Sequence, residues 1–141
     1  MESEHFEAFR QPAERSGEAS LPRLNKQFYI CLKWSTSFAK KPTLIFCRQD
    51  NLEWNKMDIG YVLSFDKPFF SKPIWYNFES IALFKGNEPV TVELNKESLN
   101  LLAPIFDKIC DSIESAYLYK YDLVRTYFLQ VIHLTIKIHI H

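Results

Sequence analysis

The stretch Val90-Thr91-Val92-Glu93-Leu94-Asn95 changes its hydrophobic period as it is read. Up to Leu94, apolar and polar residues alternate. That places Val90, Val92 and Leu94 on one face of a strand and turns Thr91 and Glu93 toward water. Beyond Asn95, a residue type suited to a helix N-cap, Leu99, Leu102, Phe106, Ile109 and Ile113 recur at steps of three and four. This is the stripe of an amphipathic helix. Pro104 lies inside it and is expected to kink or split the helix, because proline lacks the N–H that an internal turn uses.

Upstream of this switch, period two persists. In Phe28-Tyr29-Ile30-Cys31-Leu32-Lys33-Trp34 the even positions are all large and apolar. Thr43 to Cys47 is a short apolar run suited to a strand buried on both faces. Leu52 and Trp54 alternate after the Asp50-Asn51 turn signal, and Tyr61-Val62-Leu63-Ser64-Phe65 alternates after Gly60. Short strands at this spacing, separated by Pro, Gly, Asn and Asp, predict a sandwich or barrel. Pro68 to Phe84 reads as an irregular crossover with a helical turn near Phe78–Phe84. Downstream, a second helix is expected from Lys120 to Lys137. Val124, Phe128, Val131 and Thr135 lie on its first apolar face, and Leu123, Leu129, Ile132 and Ile136 are read as a second. A helix apolar on two sides must be covered twice. One cover is the chain's own body, and the other is open to a partner copy. The class is therefore α+β: an antiparallel β-unit followed by an antiparallel helix hairpin packed on it. Residues 1–23, rich in Glu and carrying only Phe6 and Phe9 as large apolar groups, are expected to form a mobile arm. The β-unit spans 24–94 and the helix pair 95–138, within one domain.

Composition narrows the function. The chain has 141 residues, with 17 Lys plus Arg against 17 Asp plus Glu. Proteins that hold nucleic acid by neutralising phosphates carry a basic excess, and a net charge of zero argues against that role for this polypeptide. Three glycines, at 17, 60 and 86, leave no glycine-rich phosphate loop. The three cysteines lie far apart without CxxC spacing and read as buried free thiols in a reducing compartment. No stretch reads as a secretory signal or a membrane span, so a cytoplasmic protein without a membrane partner is expected.

Catalytic and metal constellations find no residues. Residues 24–94 contain no histidine, which leaves a barrel metal site and a nucleophile–base pair without members. His139 and His141 read as a frayed end. Glu53, Asp58, Asp66, Glu79 and Glu93 read as solvated carboxylates at turns or on polar strand faces. Neither a cofactor nor an enzymatic activity is expected. Aromatic residues, 16% of the chain, remain. They either fill the core or line an apolar ligand pocket with a few orienting polar groups.

The runs Lys41 to Phe46, Leu52-Glu53-Trp54 and Gly60 to Phe65 followed by Phe69-Phe70 resemble the N-terminal domain of AraC-type transcription regulators, in the version common in Bacteroidetes. Leu83 to Val90 is similar to the loop entering that domain's last strand, and Tyr119 to Tyr127 to the start of its final helix. The resemblance covers about residues 24–138. It implies a cupin-like β-barrel or jelly roll that senses a small-molecule effector, a sugar or another metabolite. It also implies a homodimer made through the helix pair, and DNA binding through a separate helix-turn-helix domain. Carried onto this chain, Trp34, Phe46, Trp54 and Tyr61 are expected to line the pocket. Val124, Phe128, Val131 and Thr135 are expected at the dimer seam. The chain departs from the family in a short Trp34–Pro42 segment and an abbreviated Asn55–Asp58 turn. It also ends about where the DNA-binding domain is expected, so operator binding is not anticipated from this polypeptide. The rival expectation is a stand-alone protein-interaction module with a packed barrel and no small-molecule ligand.

Overall fold

The computed structural model describes residues 5–11, 26–35, 41–48, 58–74 and 88–139. The chain divides into two compact units, Met1–Glu93 and Leu94–His141. The boundary falls where the hydrophobic period changes.

The first unit holds strands β1 (Phe6–Gln11), β2 (Phe28–Ser35), β3 (Thr43–Arg48), β4 (Asp58–Phe65) and β5 (Val90–Glu93). They form one sheet in the order β1-β4-β2-β3-β5, every pair antiparallel. Among the described residues this sheet is open, with β1 and β5 at its edges. The expected strand at Leu52–Trp54 and the turn at Phe78–Phe84 lie outside the described residues.

Side-chain parity sorts the sheet into two faces. Phe28, Ile30 and Leu32 pair in register with Phe65, Leu63 and Tyr61 on β4. The same β2 residues pair with Arg48, Phe46 and Leu44 on β3. Phe46 and Leu44 in turn face Val90 and Val92. Ile30, Leu32, Leu44, Phe46, Leu63 and Phe65 have no exposed surface. The other face carries Tyr29, Cys31, Val62 and Cys47 as a buried cluster with Ile45 packed against it. The centre of the sheet is thus covered on both sides, as the uninterrupted apolar run of β3 requires.

Residues 6–11 correct the expectation of a mobile arm. They pair along β4 from Phe6↔Phe65 to Gln11↔Gly60. The physical reason is what β1 finds at its partner's edge. The Phe6 ring stacks on Phe69 at 4.7 Å, the Asp66 N–H donates to the His5 carbonyl, and Lys26 Nζ meets Glu7 at 3.3 Å. Phe69 comes from a 3-10 turn (Lys67–Phe69). Its ring contacts Phe70, which contacts Phe65, which stacks on Phe28. Five phenylalanines thus form one chain of rings, each contact favoured beyond its area by the ring quadrupoles.

The second unit holds α1 (Lys96–Glu114) and α2 (Lys120–His139). Asn95 caps α1, its side chain accepting from the Ser98 N–H at 2.8 Å. The helix is not split at Pro104. Pro104 and Asn100, whose carbonyl loses its helical donor there, are both exposed, so water can take the freed carbonyl. The two helices touch each other. Lys108 Nζ stands 5.9 Å from the Tyr127 ring centre, and Lys120 Nζ donates to the Ile113 and Ser115 carbonyls.

On α2 the expected seam residues Val124, Phe128, Val131 and Thr135 have no exposed surface. Their side chains are thus buried within the chain itself. The Thr135 hydroxyl is satisfied locally, donating to the Val131 carbonyl at 2.7 Å. The second apolar face is not one surface. Ile132 is buried with the core stripe, while Leu129 and Ile136 flank it on one side and Leu123 on the other, all half-buried. Asp122, Thr126, Gln130, His133 and Lys137 form an exposed polar stripe opposite. No helix among the described residues is long and apolar enough to cross a membrane.

Candidate functional site

The antiparallel register brings polar side chains together at one end of the Cys31 face. One transverse row runs Val62, Cys31, Ile45, Thr91 across the sheet. The next runs Gly60, Lys33, Thr43, Glu93, and Asp58 pairs with Ser35 in the row beyond. These rows floor an open pocket of about 390 Å³ lined by Lys33, Trp34, Ser35, Lys41, Thr43, Ile45, Asp58, Thr91 and Glu93. All of them belong to the first unit. The volume lies in the range that accepts a small metabolite.

Lys33 Nζ and an Asp58 carboxylate oxygen meet at 3.2 Å, with side-chain exposures of 15% and 7%. A pair this dry gains strong Coulomb attraction but also loses hydration. Its clearest consequence is mutual dependence, since removing either residue takes from the other its 3.2 Å ionic contact. Gly60, directly opposite Lys33, adds a backbone constraint. Its φ is +151°, and a Cβ there would lie 1.9 Å from the Leu32 carbonyl oxygen. Only glycine permits β4 to approach β2 this closely beside the ion pair.

One row inward lies Cys31, and Cys47 projects from the adjacent strand one row further, opposite Tyr29. The hydrogen bond to Cys47, together with burial, pushes the Cys31 thiol well above its ordinary range, and the same bond lowers Cys47. Cys31 therefore keeps its proton and donates it to the Cys47 sulfur. Tyr29, on the same face, is raised by burial, although the Lys26 N–H donating to its hydroxyl at 3.1 Å opposes this. All three cysteines are free and buried.

Of the expected pocket residues, Trp34 contributes to the pocket lining, but its register with Ile59 puts its side chain on the opposite face, where its ring stands 6.1 Å from that of Tyr61. Phe46 does not line the pocket: it is wholly buried in the apolar face across the sheet. Tyr61 stands on that same opposite face by its register with Leu32. Trp54 lies outside the described residues. The sequence pattern presents Asp58, Thr91 and Glu93 as water-facing groups and Thr43 and Ile45 as part of a strand buried on both faces, and it marks no site at Lys33, Ser35 or Lys41. The alternation of Thr91 and Glu93 in β5 was the available signal for their shared face. Their convergence with Lys33 and Asp58 depends on strand pairing.

Among the described residues no group of three or more His, Cys, Asp or Glu side chains is placed to hold a metal ion. The chain matches no family model, no curated protein and no solved structure.

Proposed function

We propose that this chain is the ligand-sensing and dimerisation part of an AraC-type transcription regulator. The observation that carries the reading is an open pocket lined mainly by polar and charged residues on an antiparallel sheet, in a chain whose next unit is a pair of touching helices. The non-sequential strand order, in which β3 connects to β4 on the far side of β2, supports a jelly-roll ancestry for the sheet. The five-residue connection and the Lys108–Tyr127 contact support an antiparallel hairpin. In this reading the sheet belongs to a cupin-like barrel, and a bound effector biases the arrangement of a homodimer by preferring one of its states. DNA is contacted through a separate helix-turn-helix domain.

Because the core stripe of α2 is occupied, the seam is assigned to the half-buried flank at Leu129 and Ile136. Light scattering tests this. The wild type should be a dimer at tens of micromolar that Leu129→Asp splits into folded monomers. A wild-type monomer overturns the dimer part. A second reading, an interaction module for another protein, is favoured by one observation. Tyr117, Leu118 and Tyr119, between the helices, are 54%, 80% and 58% exposed, an apolar tip of the kind that marks contact surfaces. A monomer that binds no small molecule would favour it.

A further inference from the structure

We propose that the pocket binds a zwitterionic small molecule, an α-amino acid or a close relative carrying an ammonium and a carboxylate on neighbouring atoms. This rests on the ligand-binding reading of the pocket. The lining contains two amines and two carboxylates, and their environments differ. Lys33 and Asp58 neutralise each other at 3.2 Å and are nearly dry. Lys41 and Glu93 are exposed, and among the described residues neither has an ionic partner.

Their placement makes the pair selective. Glu93 is directly opposite Thr43 on the neighbouring strand, and Lys41 lies two residues before Thr43. One unpaired cation and one unpaired anion therefore flank the same threonine. A purely anionic ligand would satisfy Lys41 but meet Glu93, and a purely cationic one would meet the reverse conflict. A molecule carrying both charges satisfies both residues with charge-assisted hydrogen bonds. Ser35, Thr43 and Thr91 add hydroxyls, while Ile45 supplies apolar surface for a side chain. The paired Lys33 and Asp58 contribute dipole without net charge, so the pocket as a whole is neutral, as its ligand would be.

The test is calorimetric titration of the full chain with the standard α-amino acids. The tightest of them is then compared with its N-acetyl derivative, which lacks the ammonium, and its carboxamide, which lacks the carboxylate. Each derivative should bind roughly tenfold or more weakly, the loss of one charge-assisted bond. Glu93→Gln should weaken the amino acid but not its N-acetyl form, and Lys41→Met should weaken the amino acid but not its amide. Both substitutions lie at exposed positions, and circular dichroism should show them folded. Equal binding of the three compounds, or indifference to both substitutions, overturns the zwitterion assignment. If no amino acid binds but a neutral polyol does, and Ser35→Ala weakens it, the ligand-sensing reading survives and this inference falls. If nothing from either class binds, both fall.

Discussion

The two faces of the sheet share strands, backbone and register, yet they solve different problems. The Ile30 face is apolar through its centre, and Ile30, Leu32, Leu44, Phe46, Leu63 and Phe65 are wholly buried. The Cys31 face is graded. It is apolar at Tyr29, Cys31, Val62 and Cys47, then turns within one residue pair to Lys33, Asp58, Thr43 and Glu93 around a pocket. A period-two strand allows this, because changing every second residue alters one face and leaves the other intact. Stability is concentrated on one side, and chemistry is placed at one end of the other.

The contrast is broken most severely from the apolar side. Phe46→Ala deletes a wholly buried ring and should cost about 3 to 5 kcal/mol. Urea denaturation would measure it, and a cost under about 1 kcal/mol would mean that the face can collapse around the gap. On the pocket side the largest effect belongs to the dry ion pair. Lys33→Met removes the 3.2 Å ionic contact of an Asp58 side chain that is 7% exposed and should cost about 3 kcal/mol. The double substitution Lys33→Met with Asp58→Asn should recover much of that loss. If the single and double variants were equally destabilised, the pair would not be acting as a unit.

These two predictions also mark what was legible from the residues alone. Phe28 to Trp34 and Val90 to Leu94 announce their strands because alternation is local. The α1 stripe and the Asn95 cap announce the helix for the same reason. Strand β1 was missed because Phe6 to Gln11 sits in a Glu-rich segment with little apolar content. Its stabilisation comes from Phe69 and the edge of β4, about sixty residues away. The site was missed for a related reason. Aromatic residues on strands look the same whether they fill a core or line a pocket, and Phe46 proves to be core. Asp58 and Glu93 look like solvated carboxylates until the register β4-β2-β3-β5 sets them around Lys33 and Thr43. Pairing over such separations leaves no local period to read.

A smaller effect tests the graded middle of the Cys31 face. The Tyr29 hydroxyl accepts from the Lys26 N–H, so Tyr29→Phe should cost about 1 kcal/mol by leaving that donor unmet. The variant also isolates a pH response. Burial raises the Tyr29 pKa above its ordinary 10.0. The neutral phenol is therefore favoured in the folded state, and the stability this contributes is full below about pH 10 and lost as pH rises through the folded value. Chemical denaturation between pH 9 and 11 should show a steeper alkaline loss in the wild type than in Tyr29→Phe. Parallel profiles would assign the alkaline loss to other groups, the Cys31 thiol among them.

The smallest effect is the one that separates the two faces most sharply. Glu93 is exposed on an edge strand and has no ionic partner among the described residues, so Glu93→Gln should change stability by less than about 0.5 kcal/mol. A residue selected to hold the fold would not be so dispensable. A residue placed to meet a ligand can be, because its contribution appears only when the ligand is bound. The measurement is therefore made twice, once in buffer and once with a saturating amino acid that the wild type binds. Equal stabilities in the first and a smaller ligand-induced rise in the melting temperature of Glu93→Gln in the second would assign Glu93 to binding alone, since a ligand at free concentration L stabilises the folded state by RT ln(1 + L/Kd) and a weaker Kd lowers that gain. A loss of more than about 1 kcal/mol without ligand would instead make Glu93 part of the β5 edge, and the functional end of the Cys31 face would shrink to Lys33, Asp58 and Lys41.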